Sequence, residues 1–205
     1  DEVHILGYFI DPKNVTLNQR LQEIHTARYH RAVQMVSRLQ ESGIKITFEQ
    51  VQALAKGELI ARPHIARVLV NSNYAATIKE AFVEYIGRGR PGYVPRYKFL
   101  PDEAIELIKN AGGIAVLAHP GLIQHKDKVT EIIDSGIGGL EDFYPNHSPE
   151  QIDELMELAR HHHLLITGGS DYHGPGSLES HANIGSAGVS KDLVNQMYAY
   201  LNNRK

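Results

Sequence analysis

Asp171 and His173 leave one apolar run only two positions apart, and that spacing is the clearest chemical signal in the chain. The run Leu165-Ile166-Thr167 breaks into Gly168-Gly169-Ser170, which reads as a buried strand ending in a loop. Residues two apart in extended backbone point to the same side, so a carboxylate and an imidazole can share one target. Such a pair suits a divalent metal of hard to borderline character. His119 closes a second apolar run, Gly113-Ile114-Ala115-Val116-Leu117-Ala118, and Pro120-Gly121 behind it can turn the backbone sharply. Two strands offering ligands at matching C-terminal ends is how α/β barrels and sheets assemble active sites. Gly-Ser-Asp clusters also occur in ordinary loops, and a strand-end His can be structural. The paired pattern favours ligation and a metal-dependent hydrolase.

Other candidates are weaker. His4, between Val3 and Ile5, lies inside an expected strand, where a lone His is usually a satisfied core or surface residue. His161, His162 and His163 sit in the last turn of an expected helix, 100° apart, and cannot chelate one ion together. His25 and His30, five apart, are expected to face solvent. Arg62-Pro63-His64 opens an expected helix, with Arg67 following, and a helix start with cationic side chains can hold a phosphate. The same residues fit a solvated face equally well. No Gly-x-x-x-x-Gly-Lys-[Ser/Thr] loop and no Gly-x-Gly-x-x-Gly is present, and Ser170 lacks the Gly-x-Ser-x-Gly elbow of a serine hydrolase.

Three regions must position these residues. A strand is expected over Val3 to Ile10, closed by Asp11-Pro12-Lys13-Asn14. Thr16 to about Tyr97 reads as all helical. Its first helix carries Leu17, Leu21, Ile24, Met35 and Leu39 at helical spacing and ends near Gly43. Further helices start at Thr47, with a Thr47–Gln50 capping pair, at Arg62 and at Thr77, the last running to Ile86. From Lys98 onward helix and strand alternate: helices over Pro101–Ala111, Lys126–Ser135, Ser148–His161 and Lys191–Asn202, strands over Ile114–Leu117, Gly139–Phe143 and Leu164–Thr167. The alternation predicts an α/β arrangement with parallel strands (residues 1–15 and 98–205), interrupted by a helical inserted subdomain (residues 16–97).

Composition sets the outer bounds. The chain has 205 residues, 42% hydrophobic and 22% charged, as an ordinary globular protein does. A net charge of −3 argues against a large nucleic-acid footprint, leaving room for a local basic cleft. The absence of cysteine removes thiolate ligands, disulfides and Cys nucleophiles, which leaves twelve histidines and the carboxylates as metal ligands. No segment approaches the ~20 apolar residues of a membrane span, and a cytoplasmic enzyme is the expectation.

Taken in chain order, four segments resemble the polymerase and histidinol phosphatase (PHP) family. They are Val3-His4-Ile5-Leu6-Gly7-Tyr8, Arg62-Pro63-His64-Ile65-Ala66-Arg67, Ala111-Gly112-Gly113 through Leu117-Ala118-His119-Pro120-Gly121, and Gly169-Ser170-Asp171-Tyr172-His173-Gly174. Within the family the likeness is to bacterial phosphoesterases acting on nucleoside phosphates and RNA 5′ ends. It covers nearly the whole chain. It implies part of a distorted (β/α)7 barrel with an all-helical insertion and up to three divalent metals, Mn, Zn or Fe. By position, His4, His119, Asp171 and His173 become metal ligands, His119 and Asp171 the catalytic candidates, and Arg62, His64 and Arg67 the phosphate-binding ones. The implied substrate is a nucleotide or short RNA, with no membrane partner and no extended DNA binding; an oligomer is compatible. The family's first motifs, a His-x-His, a Thr-Asp-His-Asp and a Gly-x-Glu, would precede Asp1. The chain is therefore expected to hold about half of the ligand set and, by itself, to bind metal weakly and turn over nothing. A catalytically inactive module that binds nucleotide or protein is the alternative.

Overall fold

The computed structural model describes residues 3–55, 60–174 and 182–203. In chain order the elements are β1 (Ile5–Tyr8), α1 (Val15–Glu41), α2 (Phe48–Ala55), α3 (Arg62–Asn71), α4 (Ile78–Ala81) with a π-helical turn (Phe82–Ile86), α5 (Pro101–Asn110), β2 (Ile114–Leu117), α6 (Lys126–Asp134), β3 (Gly139–Phe143), α7 (Pro149–His161), β4 (Leu165–Gly168) and α8 (Lys191–Asn202). A 3-10 turn, Pro120–Leu122, follows β2. The chain divides into two compact units, Asp1–Leu17 with Phe99–Lys205, and Asn18–Lys98.

The first unit is built on one sheet of linear order β1-β2-β3-β4. β2, β3 and β4 are parallel, as helix–strand alternation requires. β1 runs antiparallel to β2, with Ile5 opposite Leu117 and Tyr8 opposite Ile114. The α/β class expected from the alternation is the class adopted, but four strands in linear order do not define the barrel. One face packs Ala115, Leu117 and Leu140 against Ile105 of α5, Ile132 of α6 and Leu155 of α7. The other packs Ile114, Val116 and Leu165 against Met197 of α8. Burial on both faces explains why β2 is an unbroken apolar run rather than an alternating one. Helix starts carry their own signals: Ser148 Oγ accepts the Gln151 N–H and Gln151 Oε1 accepts the Ser148 N–H, a reciprocal capping box at the start of α7.

The antiparallel β1 corrects one expectation. His4 does not lie inside a strand; it precedes β1, at the strand's N-terminal end. Because β1 is reversed, that end lies beside the C-terminal end of β2, where the Ala118 N–H donates to the His4 carbonyl at 3.0 Å.

The second unit is helical. α1 through α3 and the π turn bury Met35, Leu39, Val51, Ile65, Leu69 and Ile86 in one apolar cluster. The helix expected over Thr77–Ile86 is split. Thr77 Oγ1 caps α4 by accepting the Glu80 N–H, and the chain then widens into the π turn at Phe82. No helix among the described residues is long and apolar enough to cross a membrane.

Candidate active site

The site begins where β2 runs out. His119 has left-handed backbone, φ +32°, a conformation that costs a non-glycine residue about 1–2 kcal/mol. Two neighbouring contacts hold it there. Glu141 in β3 accepts the His119 N–H on Oε2 at 3.0 Å. Two residues on, Gly121 donates its N–H to His147 Nε2 at 3.2 Å, while its carbonyl accepts from Gln151 Nε2 at 3.0 Å. A Cβ on Gly121 would lie 2.8 Å from the His147 ring, so this close approach requires glycine. Since Nε2 of His147 accepts, its Nδ1 carries the proton and donates to the Asp142 carbonyl at 2.9 Å. The tautomer of a buried, neutral His147 is thereby fixed.

Held this way, the His119 ring meets His4, with Nε2 of His119 3.2 Å from Nδ1 of His4. Burial, then the neighbouring His4, lowers the His119 pKa and favours the neutral imidazole that a metal needs. His119 Nδ1 is buried and has no hydrogen-bond partner among the described residues.

A second pair lies beyond β4. Asp171, also left-handed at φ +50°, places Oδ1 3.2 Å from His173 Nε2 and Oδ2 3.4 Å from the Tyr144 hydroxyl, which donates to it. Tyr144 links the pairs, because its ring stands 5.3 Å from that of His119 and 5.2 Å from that of His147. Burial, then the Asp171 carboxylate, raises the Tyr144 pKa and keeps the phenol protonated. Glu141, buried within its strand, is also raised, first by burial and further by Asp171, with the His119 N–H opposing. Its other oxygen faces Gly169, where a Cβ would come within 3.1 Å.

The donor chemistry suits a divalent metal. Neutral imidazoles and a carboxylate are the ligands of Zn, Mn and Fe sites, and ligands about 2.0–2.1 Å from a tetrahedral ion stand about 3.3 Å apart. Both pairs, at 3.2 Å, have that separation. They remain two pairs: among the described residues no three His, Asp or Glu groups converge into one cage.

Four of the expected residues are thus drawn together two by two. The other three lie in the helical unit and play more local parts. His64 Nδ1 accepts the Ala61 N–H at 3.0 Å and so caps α3. The Arg62 guanidinium stacks 5.3 Å above the Phe82 ring, and Arg67 is exposed. His25 and His30 are exposed, as expected. Sequence reasoning passed over Glu141, Tyr144 and His147. The signal was present: Glu141-Asp142 puts two adjacent carboxylates inside an otherwise apolar strand, and a buried strand does not carry charge without a reason.

A mixed α/β sheet with imidazole and carboxylate pairs gathered at the ends of its strands is a build suited to metal-assisted phosphoester hydrolysis. No family model matches the chain. It is 35% identical over 179 residues to the 5′-3′ exoribonuclease Rnm of Escherichia coli (strain K12), covering 85% of this chain and 61% of that protein. It is 35% identical over 180 residues to the 3′,5′-nucleoside bisphosphate phosphatase of Chromobacterium violaceum, covering 85% and 63%. A solved structure from Bifidobacterium adolescentis, provisionally described as a metal-dependent phosphoesterase, superposes with a TM-score of 0.79 at 32% identity, covering 96% of this chain and 71% of that one. The chain belongs to the family of these phosphoesterases. It spans about three fifths of the length of the curated relatives it matches.

Proposed function

We propose that the chain carries part of the active site of a divalent-metal-dependent phosphoesterase acting on nucleotides or RNA ends, of the PHP type with its barrel architecture and helical insertion. The observation that carries this reading is the 3.2 Å approach of His4 to His119, whose buried ring is kept neutral on a strained turn that Glu141 and His147 brace. His4 and His119 would hold one side of a metal site and Asp171 and His173 the other. A bound divalent ion supplies positive charge to the phosphoryl oxygens and activates water there.

The chain's own groups do the rest. Glu141 and Tyr144 orient His119 and Asp171, as hydrogen-bonded neighbours of metal ligands commonly do. Tyr144 stays protonated and donates a hydrogen bond to Asp171, which holds that carboxylate in one orientation. Manganese, zinc and iron all suit these donors. Arg62, His64 and Arg67 stand in this reading as the residues that hold a substrate phosphate. Arg62 is the strongest of the three, because His64 already spends Nδ1 on its own helix.

The test is elemental analysis of the intact protein, followed by a phosphate-release screen over nucleoside monophosphates, 3′,5′-bisphosphates and 5′-phosphorylated RNA. Bound divalent metal, and release that His119→Ala abolishes together with the metal, is the expected result. Arg62→Ala should raise KM for bisphosphates more than for simple monoesters, by about 1.5–3 kcal/mol. Full activity in His119→Ala would overturn the reading.

A further inference from the structure

The whole-chain charge of −3 conceals a division. The helical unit, Asn18–Lys98, has thirteen Lys and Arg against six Asp and Glu, net +7, while the rest of the chain has eight against eighteen, net −10. Part of the positive charge is ordered along one helix. Arg20, Arg28, Arg31 and Arg38 of α1 fall within an arc of about 80° and span about 27 Å of helix. The segment after Gly92 runs back along them. Arg38 donates to the Tyr93 carbonyl, Arg31 Nε donates to the Val94 carbonyl at 2.9 Å, and Arg20 lies 5.5 Å above the Tyr97 ring. Burial first, and then Arg62, Arg96 and Arg28, lower the Arg31 pKa. Like charge thus adds to burial at Arg31.

The track is accessible. Arg28, Arg38 and Arg96 are exposed, and Tyr97 is 45% exposed. Two acids border it, Glu23 and Glu41; Glu23 pairs with Arg20 at 2.7 Å and Glu41 accepts from Ser37. The neutralised end is therefore at Arg20, and the like charge is densest around Arg28 and Arg31.

We propose that this arginine track binds the phosphate backbone of a single-stranded polynucleotide. Guanidinium groups grip phosphates through paired N–H donors, and a row of them matches a ligand whose charges repeat along its length. Tyr97 adds a face on which an unpaired base can stack, which a duplex does not offer. The track deepens the nucleotide phosphoesterase reading and rests on it only for the expectation that the ligand is a nucleic acid.

The experiment is fluorescence polarisation with the intact protein and labelled single strands of about two to twelve nucleotides, at several salt concentrations. RNA and DNA of equal length, and a glutamate oligomer, are the comparison ligands. Affinity should rise with length for both nucleic acids and fall with salt, at a slope of about −0.7 per phosphate held. Arg28→Gln and Arg96→Gln should each weaken binding about three- to tenfold and remove about 0.7 from the slope, with unchanged circular dichroism and melting. Tyr97→Ala should weaken binding at constant slope. Length-independent binding, an unchanged slope in both arginine variants, or equal affinity for the glutamate oligomer would each overturn the proposal. Phosphate release from a mononucleotide, followed separately, reads the hydrolase reading alone, so the two cannot fail unnoticed together.

Discussion

The two units bury different chemistry. Among the described residues, every buried polar or charged side chain lies in the sheet unit: His119, Glu141, Asp142, His147 and Thr167. The helical unit buries only apolar side chains, with Leu39, Val51, Ile65 and Leu69 fully enclosed. Burying a polar group is costly unless it is satisfied, whereas burying a leucine stabilises by roughly 1.5–3 kcal/mol. One region therefore gives up stability to hold reactive groups in place, and the other gains it by plain packing. The left-handed backbone at His119 and Asp171 belongs to the same contrast, since strain persists only where its surroundings over-determine it.

Asp142 gives the largest way to break this comparison. Its side chain is 0% exposed, neither carboxyl oxygen has a partner among the described residues, and burial pushes its pKa up from 3.8 to about 7, against a smaller opposing pull from Arg160. A raised folded pKa means that the unfolded chain loses the proton first. The folded state is therefore unpenalised below about pH 4, and stability drains away as the pH rises from there through about 7. The size is on the order of 4 kcal/mol. Asp142→Leu should abolish that slope and melt higher than the parent protein at pH 8, in calorimetric scans across pH 4–8. A variant that kept the parent's slope would show that Asp142 is satisfied after all.

The helical unit should answer in the opposite sense. Leu39→Ala removes a fully buried side chain from a core with no polar member, and should cost about 3 kcal/mol through lost burial and the cavity left behind. The loss should be the same at pH 4 and pH 8. A pH-dependent loss would mean that a titrating group lies hidden in this core.

How legible these regions were follows from what each residue does for its neighbours. Helix starts at Thr47, Thr77 and Ser148 were readable because a cap acts within four residues of itself. The strand before His119 was readable because burial on both faces leaves a continuous apolar run, and the strand before Asp171 because its apolar residues break into Gly168-Gly169. Two features were not. The reversal of β1 depends on pairing between Ile5 and Leu117, more than a hundred residues apart, and no local pattern encodes direction. The bracing of His119 by Glu141 and His147 is likewise a property of neighbouring strands. The net charge of −3 averages two units of opposite sign, and the boundary at Asn18 and Lys98 separates the basic one.

Glu141 sharpens the comparison with the smallest effect, because here the buried polar group is satisfied. Its carboxylate accepts the His119 N–H at 3.0 Å, so truncation leaves that amide without its acceptor on a turn that is already strained. An unmet buried donor costs about 1–3 kcal/mol, and Glu141→Ala should lose about 2 kcal/mol of stability. Glu141→Gln keeps an acceptor oxygen and should lose far less. The two variants should also separate in metal affinity. A ligand held by a hydrogen-bonded neighbour typically loses about 10–100-fold in affinity without it, so the intact protein should bind metal that much more weakly in Glu141→Ala than in Glu141→Gln. Calorimetric titration with a divalent metal reads this directly, and amide exchange at His119 reports whether the turn has loosened. Equal metal affinity in both variants, with exchange at His119 unchanged, would mean that the turn holds itself and that Glu141 is buried for some purpose other than His119.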